Sequence, residues 1–389
     1  MKILLVSLES IDNIGEELLR KTTEYLVLQS CKDVKISVAQ LKPSRRLIPF
    51  KYCVDYCSGS IVWKFFSYFK GNLSYKLKNL TYLIKYSRYF SSKIRHSDKV
   101  IFSIGMIKYG TQDFSYVFHL INKLATKYEK PVMMSAMSPQ PANESDWRYH
   151  HLVEAVNMPA VKILTTRDGV DGLEILKSDY LLRAICCDYV GDPALWIPEV
   201  FGEKKDDASN PIPYVGINII RKGIFDDYNK ALTDDELINI YAQLICLLKT
   251  KGWKWSLFTN GMKRDVEVLR ELQSQLNIPD SNVSPICKDG KNYSKMISSF
   301  DVVFGARLHA CITSVAVGTP VVGFIWENKL KYFSKTMGIS HFFFQPHEMT
   351  AEKILNKLEE ALVFNFDFTN RDFFKYKTKE SINKFIQSR

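Results

Sequence analysis

Three residues in the second half of the chain have the types and spacing that chemistry on an anion requires. Arg307 and His309 directly follow an apolar run and open a helical pattern of small residues, and Lys329 follows the next apolar run. A guanidinium binds a carboxylate or phosphate through two hydrogen bonds, an ammonium adds a point charge, and an imidazole exchanges a proton near neutral pH. The cluster therefore predicts an anion site with an acid–base group. The alternative is a helix N-terminus with a structural histidine, because Arg-x-His is not a specific motif.

The first half of the chain has polar residues at similar positions. Arg167 and Asp192 each come directly after an apolar run. Asn13 and Gly15 form a turn that leads Glu16 into a helical pattern. An arginine beside a carboxylate is more often an ordinary ion pair than a ligand clamp, and the helix dipole alone favours a glutamate in a first turn. These residues are candidates for catalysis only if the fold brings them to the anion site.

Short apolar runs rich in β-branched residues alternate with longer helical patterns, as in chains that wind around parallel sheets. The first series of strand candidates is 2–7, 34–38, 100–104, 131–136, 163–166 and 188–190, and the second is 214–220, 254–259, 301–305 and 321–325. A polar, proline-flanked segment at 202–213 separates the two series. We therefore predict an α/β protein of two Rossmann-like domains, residues 1–201 and 213–349, and a helical tail at 350–389 that packs back on the first domain.

Such domains would bring the candidate residues to one place. Ligands of open α/β sheets bind beyond the carboxyl ends of the strands, where helix N-termini present N–H groups and positive dipole ends. All the candidates named above follow a strand candidate or open the helix after one. The cleft between the two domains is therefore the predicted site.

The positive charge of the chain is concentrated in residues 42–99. This segment has thirteen Lys or Arg and two Asp, so its net charge of +11 equals that of the whole chain, and it also has thirteen aromatic residues. Basic and aromatic side chains together suit the surface of an anionic membrane. A basic helical insertion with buried aromatic rings is the second interpretation. Single-stranded nucleic acid is the third, but no RNP-type, zinc-finger or KH-type pattern supports it, and we predict no nucleic-acid partner.

Composition and cysteine spacing exclude other classes of protein. Hydrophobic residues make up 46% of the chain and charged residues 24%, as in folded globular proteins. No apolar run reaches the roughly 18 residues of a membrane-spanning helix, and the first residues resemble a core strand rather than a signal peptide. The eight cysteines have no disulfide framework, and neither they nor the seven histidines have the spacing of a zinc site. We expect a cytoplasmic protein with reduced thiols and no metal site.

Six segments follow one another along the chain in a fixed order: Asn13-Ile14-Gly15-Glu16, Arg167-Asp168, Gly191-Asp192-Pro193-Ala194, Arg307-Leu308-His309-Ala310, Gly318-Thr319-Pro320 and Lys329. In this order they resemble the motifs of the polysaccharide pyruvyl transferase family, over roughly residues 3 to 340. The resemblance implies a GT-B-like fold, in which two Rossmann-like domains face each other across a cleft. It also implies an enzyme that transfers a pyruvyl group from phosphoenolpyruvate to a sugar as a ketal, with no metal or other cofactor.

The resemblance also implies roles for individual residues on the donor side. Arg307 and His309 contact phosphoenolpyruvate, and the backbone of Leu308 lies nearby. Arg167 and Lys329 complete the clamp on the anion. His309 supplies the proton to the methylene carbon or stabilises the departing phosphate, since an imidazolium can do either.

On the acceptor side the chain departs further from the family. Glu16 or Asp192 is the implied base for the sugar hydroxyl, and Asn13 and Gly15 are the implied contacts of the acceptor. The family usually has aspartate where this chain has Glu16, and it often has glycine-rich loops where the first domain of this chain has other residues. These departures concern the identity of the acceptor rather than the donor.

The expected acceptor is a sugar of a cell-surface polysaccharide or of a lipid-linked oligosaccharide precursor. A lipid-linked acceptor would explain the basic segment, because a cytoplasmic enzyme could dock through residues 42–99 on the inner face of the membrane. Two other functions are open. One is a nucleotide-sugar glycosyltransferase of the same architecture, with Glu327 as the carboxylate for the donor ribose. The other is a non-catalytic protein that binds glycans at the membrane.

Overall fold

The structure is a computed structural model, and it describes residues 1–8, 13–41, 86–109, 113–181, 186–205, 211–228 and 232–388. Those residues form two parallel β-sheets with helices between the strands. The predicted α/β fold with two Rossmann-like domains is confirmed. Within these ranges no helix combines the length and the apolar character that crossing a membrane requires.

The first sheet has six strands among the described residues, in the order β2-β1-β3-β4-β5-β6. Its strands are β1 (Lys2–Ser7), β2 (Lys35–Gln40), β3 (Lys99–Ser103), β4 (Val132–Met137), β5 (Val161–Thr166) and β6 (Cys186–Tyr189). All neighbouring pairs are parallel. The residues of β3 and β4 are all buried, because a parallel sheet is covered on both faces. Such strands therefore appear in the sequence as continuous apolar runs.

The second sheet has five strands in the described part of the chain, in the order β11-β10-β9-β7-β8, and it is also parallel. Its strands are β7 (Tyr214–Asn218), β8 (Lys254–Phe258), β9 (Val302–Gly305), β10 (Val321–Phe324) and β11 (Phe343–Phe344). All ten predicted strands agree with the observed strands to within two residues at each end. The short strand β11 was not predicted.

Helices connect the strands of each sheet. In the first domain they are α1 (Ile14–Ser30), α2 (Ser115–Lys127), α3 (Trp147–Val156), α4 (Gly169–Asp179) and α5 (Ile197–Phe201). After these come α6 (Ile224–Asp227), α7 (Asp234–Thr250), α8 (Lys263–Gln275), α9 (Gly290–Ser298), α10 (Leu308–Val317), α11 (Asn328–Thr336), α12 (Ala351–Val363) and α13 (Thr369–Gln387). A 3-10 turn, Pro193–Trp196, precedes α5. Residues 86–95 are also helical.

The last two helices pack on different domains. Ile354 of α12 is buried in the core of the second domain. Phe385 of α13 is buried against the first sheet. The Nζ of Lys99 donates a hydrogen bond to the backbone oxygen of Phe385 at 2.6 Å, which satisfies a carbonyl group near the end of α13. The segment 350–389 is thus divided between the two domains.

The two domains meet through an apolar contact beside the strand ends. Leu18 of α1 and Leu195 of the 3-10 turn are buried in the same hydrophobic cluster as the core of the second domain. A Cβ atom on Gly290 would stand 2.8 Å from Leu18, so α1 and α9 approach closely. The N–H of Ile14 donates to the backbone oxygen of Asn260 at 3.1 Å. This packing fixes the first turn of α1 against the second domain.

Most of the basic segment, residues 42–85, lies outside the described residues. In its described part, Tyr86 and Phe90 belong to the helical residues 86–95, and both are buried in the core of the first domain. For these two aromatic residues, the structure supports the interpretation as buried positions of a basic helical segment.

Candidate functional site

Glu16 and His309 come from different domains, and His309 contacts the residue that precedes Glu16. Glu16 lies in the first turn of α1, and His309 lies in the first turn of α10. A Cβ atom on Gly15 would be 2.3 Å from Nδ1 of His309, so the imidazole rests directly on the glycine backbone. The fold therefore makes neighbours of an acid–base residue from each domain.

Asn13 fixes the start of α1 and orients Glu16. Its side-chain oxygen accepts a hydrogen bond from the N–H of Gly15 at 3.2 Å, and its Nδ2 donates to Oε1 of Glu16 at 3.3 Å. The other carboxyl oxygen, Oε2, is buried and has no hydrogen-bond partner among the described residues. An unpartnered buried polar atom is costly, so this oxygen fits a group that completes its bonding with a ligand.

Both acid–base residues are uncharged at neutral pH. Burial raises the pKa of Glu16 to about 8, and the positive charges of Arg167 and Lys329 only partly oppose it. Burial also lowers the pKa of His309 to about 4; the same two cations act in that direction, and Asp192 opposes them. Nε2 of His309 is buried without a partner in the described part of the chain. The cleft therefore has a protonated carboxyl group and a neutral imidazole.

Arg167 is held firmly at the carboxyl end of β5. Its Nη1 pairs with the carboxylate of Asp192, and its Nε donates to Oγ of Ser138 at 3.1 Å. A Cβ atom on Gly105 would stand 2.9 Å from Nη1, and this glycine has a φ of +72°, so both space and backbone conformation require glycine there. The guanidinium is buried, and its charge shifts the pKa of both acid–base residues of the cleft.

Two aspartates support this arginine. Asp192 follows β6, and its Oδ1 accepts from the N–H of Ala194 at 2.8 Å, which caps the 3-10 turn. Asp168 accepts a hydrogen bond from Oγ of Ser138 at 2.8 Å, and burial raises its pKa to about 6. Asp192 therefore makes two structural contacts, one to Arg167 and one to the turn. It also lies close enough to the cleft to affect the pKa of His309.

Arg307 is paired within its own domain. Its Nε donates to Oδ2 of Asp265 at 2.9 Å, and its Nη2 pairs with the other oxygen of the same carboxylate. Asp265 is fully buried in the first turn of α8. The guanidinium also lies over the ring of Trp326, 5.7 Å from its centroid. An anionic ligand that contacts Arg307 must share or displace this carboxylate.

A polar network behind the start of α10 was not predicted. Asn218, the last residue of β7, accepts from the N–H of Arg307 at 2.9 Å and donates to Oδ1 of Asn260 at 3.2 Å. The hydroxyl of Tyr293 donates to the same oxygen of Asn260 at 2.9 Å. The signal was present, because Asn218 and Asn260 lie at the ends of apolar strands, but their bonding partners depend on the fold.

Lys329 completes the cleft from the first turn of α11. Its Nζ is 3.4 Å from Oε2 of Glu327. Lys329, Arg167 and Leu308 line a cavity between the domains. The cavity encloses about 10 Å³, which is room for one water molecule. A ligand the size of phosphoenolpyruvate would therefore need the domains to move apart.

Comparisons with known proteins agree with this architecture. The family model for polysaccharide pyruvyl transferase matches residues 13–328, which is most of the chain. A search of the curated proteins finds no match.

Several solved structures resemble the whole chain. The UDP-GlcNAc 2-epimerase from Methanocaldococcus jannaschii is 9% identical over 100% of both chains, with a TM-score of 0.57. The UDP-N-acetylglucosamine 2-epimerase from Rickettsia bellii is 12% identical over 99% of this chain and 95% of its own, with a TM-score of 0.56. The α,α-trehalose 6-phosphate synthase from Burkholderia multivorans is 10% identical over 98% and 93%, with a TM-score of 0.52. At these identities the likeness establishes the fold alone, which is GT-B-like.

Proposed function

Because the chain belongs to the polysaccharide pyruvyl transferase family, we propose that it transfers a pyruvyl group from phosphoenolpyruvate to a sugar of a cell-surface polysaccharide or of a lipid-linked precursor. The product is a pyruvate ketal that bridges two sugar hydroxyls. The observation that carries the proposal is that Glu16 and His309, from opposite domains, both lie within reach of the charges of Arg167 and Lys329, with the ring of His309 against Gly15.

The proposed reaction requires both an acid and a base. The methylene carbon of phosphoenolpyruvate gains a proton and becomes a methyl group. The central carbon forms bonds to two sugar oxygens, and its bond to the phosphate oxygen breaks. The two sugar hydroxyls release two protons, of which one balances the new methyl group and the other leaves with phosphate. A site for this reaction must therefore bind an anion and move protons in both directions.

The protonation states of the cleft support one assignment of these steps. Glu16 holds a proton at neutral pH and donates it to the methylene carbon, while the neutral His309 accepts the proton of a sugar hydroxyl. This exchanges the roles that the family resemblance implies for the two residues. Binding of an anionic donor raises the pKa of both groups, which keeps Glu16 protonated and brings His309 closer to the pH of the reaction.

The donor phosphate and carboxylate are held by the cations of the cleft. Arg167 and Lys329 supply positive charge from opposite domains, and the positive end of α10 adds to it at Leu308. Arg307 contributes when an incoming carboxylate and Asp265 both accept hydrogen bonds from its guanidinium. In this proposal the chain needs no metal or other cofactor for the transfer.

A thermal-shift titration tests the donor. A ligand that binds only the folded state raises its stability by mass action, so phosphoenolpyruvate should raise the melting temperature. We expect Lys329→Ala to lose this shift. Lys331→Ala, an exposed change in the same helix, should keep it. A shift with UDP- or GDP-sugars and none with phosphoenolpyruvate would contradict the proposal and favour the glycosyltransferase.

Phosphate release with a lipid-linked oligosaccharide fraction tests the proton steps. His309→Ala and Glu16→Gln should each bind phosphoenolpyruvate and lose turnover. Wild-type kcat/KM for phosphoenolpyruvate should decrease as the pH rises above about 8, because Glu16 of the free enzyme then loses the proton that it donates. Retained turnover in either variant would contradict the role of that residue.

Docking on an anionic membrane surface is proposed for residues 42–99. Liposome flotation with anionic lipid tests it by comparing the wild type with the variant in which four lysines are changed to glutamate: Lys64, Lys70, Lys76 and Lys78. We expect the variant to lose flotation, since polybasic segments bind anionic lipid electrostatically. Unchanged flotation would contradict the docking role.

A further inference from the structure

A second group of chemically active side chains lies on two neighbouring helices of the first domain. His119 belongs to α2, and His151 and Glu154 belong to α3. Nε2 of His119 is 3.1 Å from Oε1 of Glu154, and Nδ1 of His151 is 3.9 Å from Oε2. One ligand atom from each of the three side chains lies within 4.8 Å of the others. The helices α2 and α3 carry none of the cleft residues.

Hydrogen bonding does not account for the position of His151. Its Nδ1 is too far from Glu154 for a hydrogen bond, and its Nε2 is buried without a partner among the described residues. Its ring stacks on His119, with centroids 4.1 Å apart and an angle of 17° between the planes. Two imidazoles are therefore held together beside a carboxylate.

We propose that His119, His151 and Glu154 bind a zinc ion that joins α2 to α3. Neutral imidazole nitrogen and carboxylate oxygen are the usual non-thiolate ligands of zinc. With bonds of about 2.0–2.1 Å, neighbouring ligands of a tetrahedral zinc ion stand roughly 3.4 Å apart. The two histidines lie 3.1 and 3.9 Å from different carboxyl oxygens of Glu154, and one ligand atom of each residue lies within 4.8 Å of the others, so the three groups are close enough to converge on an ion. Because the two rings are stacked, at least one of them must rotate out of the stack for both nitrogens to reach one ion.

The fourth position of such a site would be open to water. The side chain of Glu154 is 63% exposed, and those of His119 and His151 are 16% and 19% exposed. The ion would sit on the side of the cluster where Glu154 faces solvent. Because α2 follows β3 and α3 follows β4, zinc would also tie together the two connections at the carboxyl ends of these strands. Occupation of the site stabilises the first domain.

Zinc binding to the full chain tests the proposal directly. Protein freed of metal with a chelator and kept reduced is titrated with zinc chloride in a calorimeter, and the melting temperature is recorded with and without zinc. We expect one zinc ion per chain and a higher melting temperature. His119→Ala and His151→Ala should each weaken this binding at least tenfold.

Two further variants separate loss of ligands from loss of structure. Glu154→Gln should weaken zinc binding because it removes the carboxylate ligand. Since the side chain is exposed, the circular dichroism should remain that of the wild type. His150→Ala is the matched control, because His150 precedes His151 in the same helix but lies outside the cluster. It should bind zinc as the wild type does.

Cobalt distinguishes this site from binding at the cysteines. Cobalt bound by nitrogen and oxygen lacks the near-ultraviolet charge-transfer band that thiolate ligands produce. Absence of that band, with visible absorption lost in His119→Ala, would support the proposal. The proposal would be overturned if the protein took up no zinc at micromolar concentration, or if all three ligand variants took up as much zinc as the wild type. A strong thiolate band together with unchanged uptake in those variants would also overturn it.

Discussion

The two faces of the cleft differ in how completely their buried polar groups are bonded. On the second-domain face, Asn218 bonds to the start of α10, and Arg307 bonds to a buried carboxylate through two nitrogens. In the described part of the first domain, Ser7, Ser135 and Glu16 each have a buried side-chain oxygen without a partner, whereas in the described part of the second domain Nε2 of His309 is the one such atom. A satisfied network holds its groups rigidly, whereas unpartnered groups retain the capacity to bond a ligand. The second domain thus presents a surface that is preformed except at His309, and the first domain presents one that a ligand completes.

The largest effect on stability is expected from a change in the bonded polar network on the second-domain face. In Arg307→Ala the carboxylate of Asp265 remains buried without its counter-charge, and we expect the free energy of unfolding to decrease by about 3–5 kcal/mol. Urea unfolding measures this loss. Replacing both Arg307 and Asp265 with alanine removes the unpaired charge and should recover part of the stability. A loss below about 1 kcal/mol in the single variant would mean that this face does not depend on the pair.

The next largest effect concerns the first-domain face of the cleft, where Glu16 makes the stability of the protein depend on pH. Between pH 4.5 and about 8 the folded protein keeps a proton on Glu16 that the unfolded chain has released, so wild-type stability falls as the pH rises through this window. Glu16→Gln lacks this titration. We expect it to gain about 2–3 kcal/mol relative to the wild type between pH 5 and pH 7. Urea unfolding at both pH values checks the difference.

Glu24→Gln is the control for that experiment. Glu24 lies in the same helix and forms an ion pair with Arg20 at the helix surface. The stability of Glu24→Gln should follow that of the wild type between pH 5 and pH 7. Parallel curves for Glu16→Gln and the wild type would show that the carboxyl group of Glu16 is not desolvated.

A third change tests the contact where the two faces meet. The new methyl group in Gly15→Ala would collide with the ring of His309, and we expect a loss of about 1–3 kcal/mol with loss of turnover. Combining Gly15→Ala with His309→Ala should restore most of the stability, because the ring that collides is gone. Equal losses in the single and double variants would contradict the direct contact.

The smallest effect is expected at the rim of the interface. Lys335 pairs with Asp171 of the first domain at 2.7 Å, but the lysine is exposed. Lys335→Ala should change stability by less than about 1 kcal/mol and leave the thermal shift with phosphoenolpyruvate intact. A larger loss of stability would mean that surface charges contribute to domain closure as much as the buried contacts do.

The strands could be predicted because burial on both faces demands continuous apolar residues, as in Lys2–Ser7 and Val132–Met137. The helix Trp147–Val156 was not predicted, because its buried positions are interleaved with His150, His151 and Glu154. The same interleaving of buried and polar positions explains why the cluster around His151 was not predicted. Its third member, His119, also comes from another helix.

The candidate site could be located in outline for the same reason. Glu16, Arg167 and His309 each follow a strand, and parallel strands bring their carboxyl ends to one edge. The partner of Arg307 could not be predicted, because Asp265 lies 42 residues away and only the packing of α8 brings it close. The protonation of Glu16 and His309 likewise depends on burial, which the sequence pattern does not specify.

The position of α13 sets the order in which the two domains can mature on the ribosome. Ile3 and Leu5 of the first strand share a hydrophobic cluster with Phe385 and Ile386 of α13. All strands of the second sheet are synthesised before this helix. Since domains fold as units while the chain emerges, the second domain can finish its core first. The first domain, although its strands are made earlier, waits with part of its sheet uncovered until α13 has been synthesised.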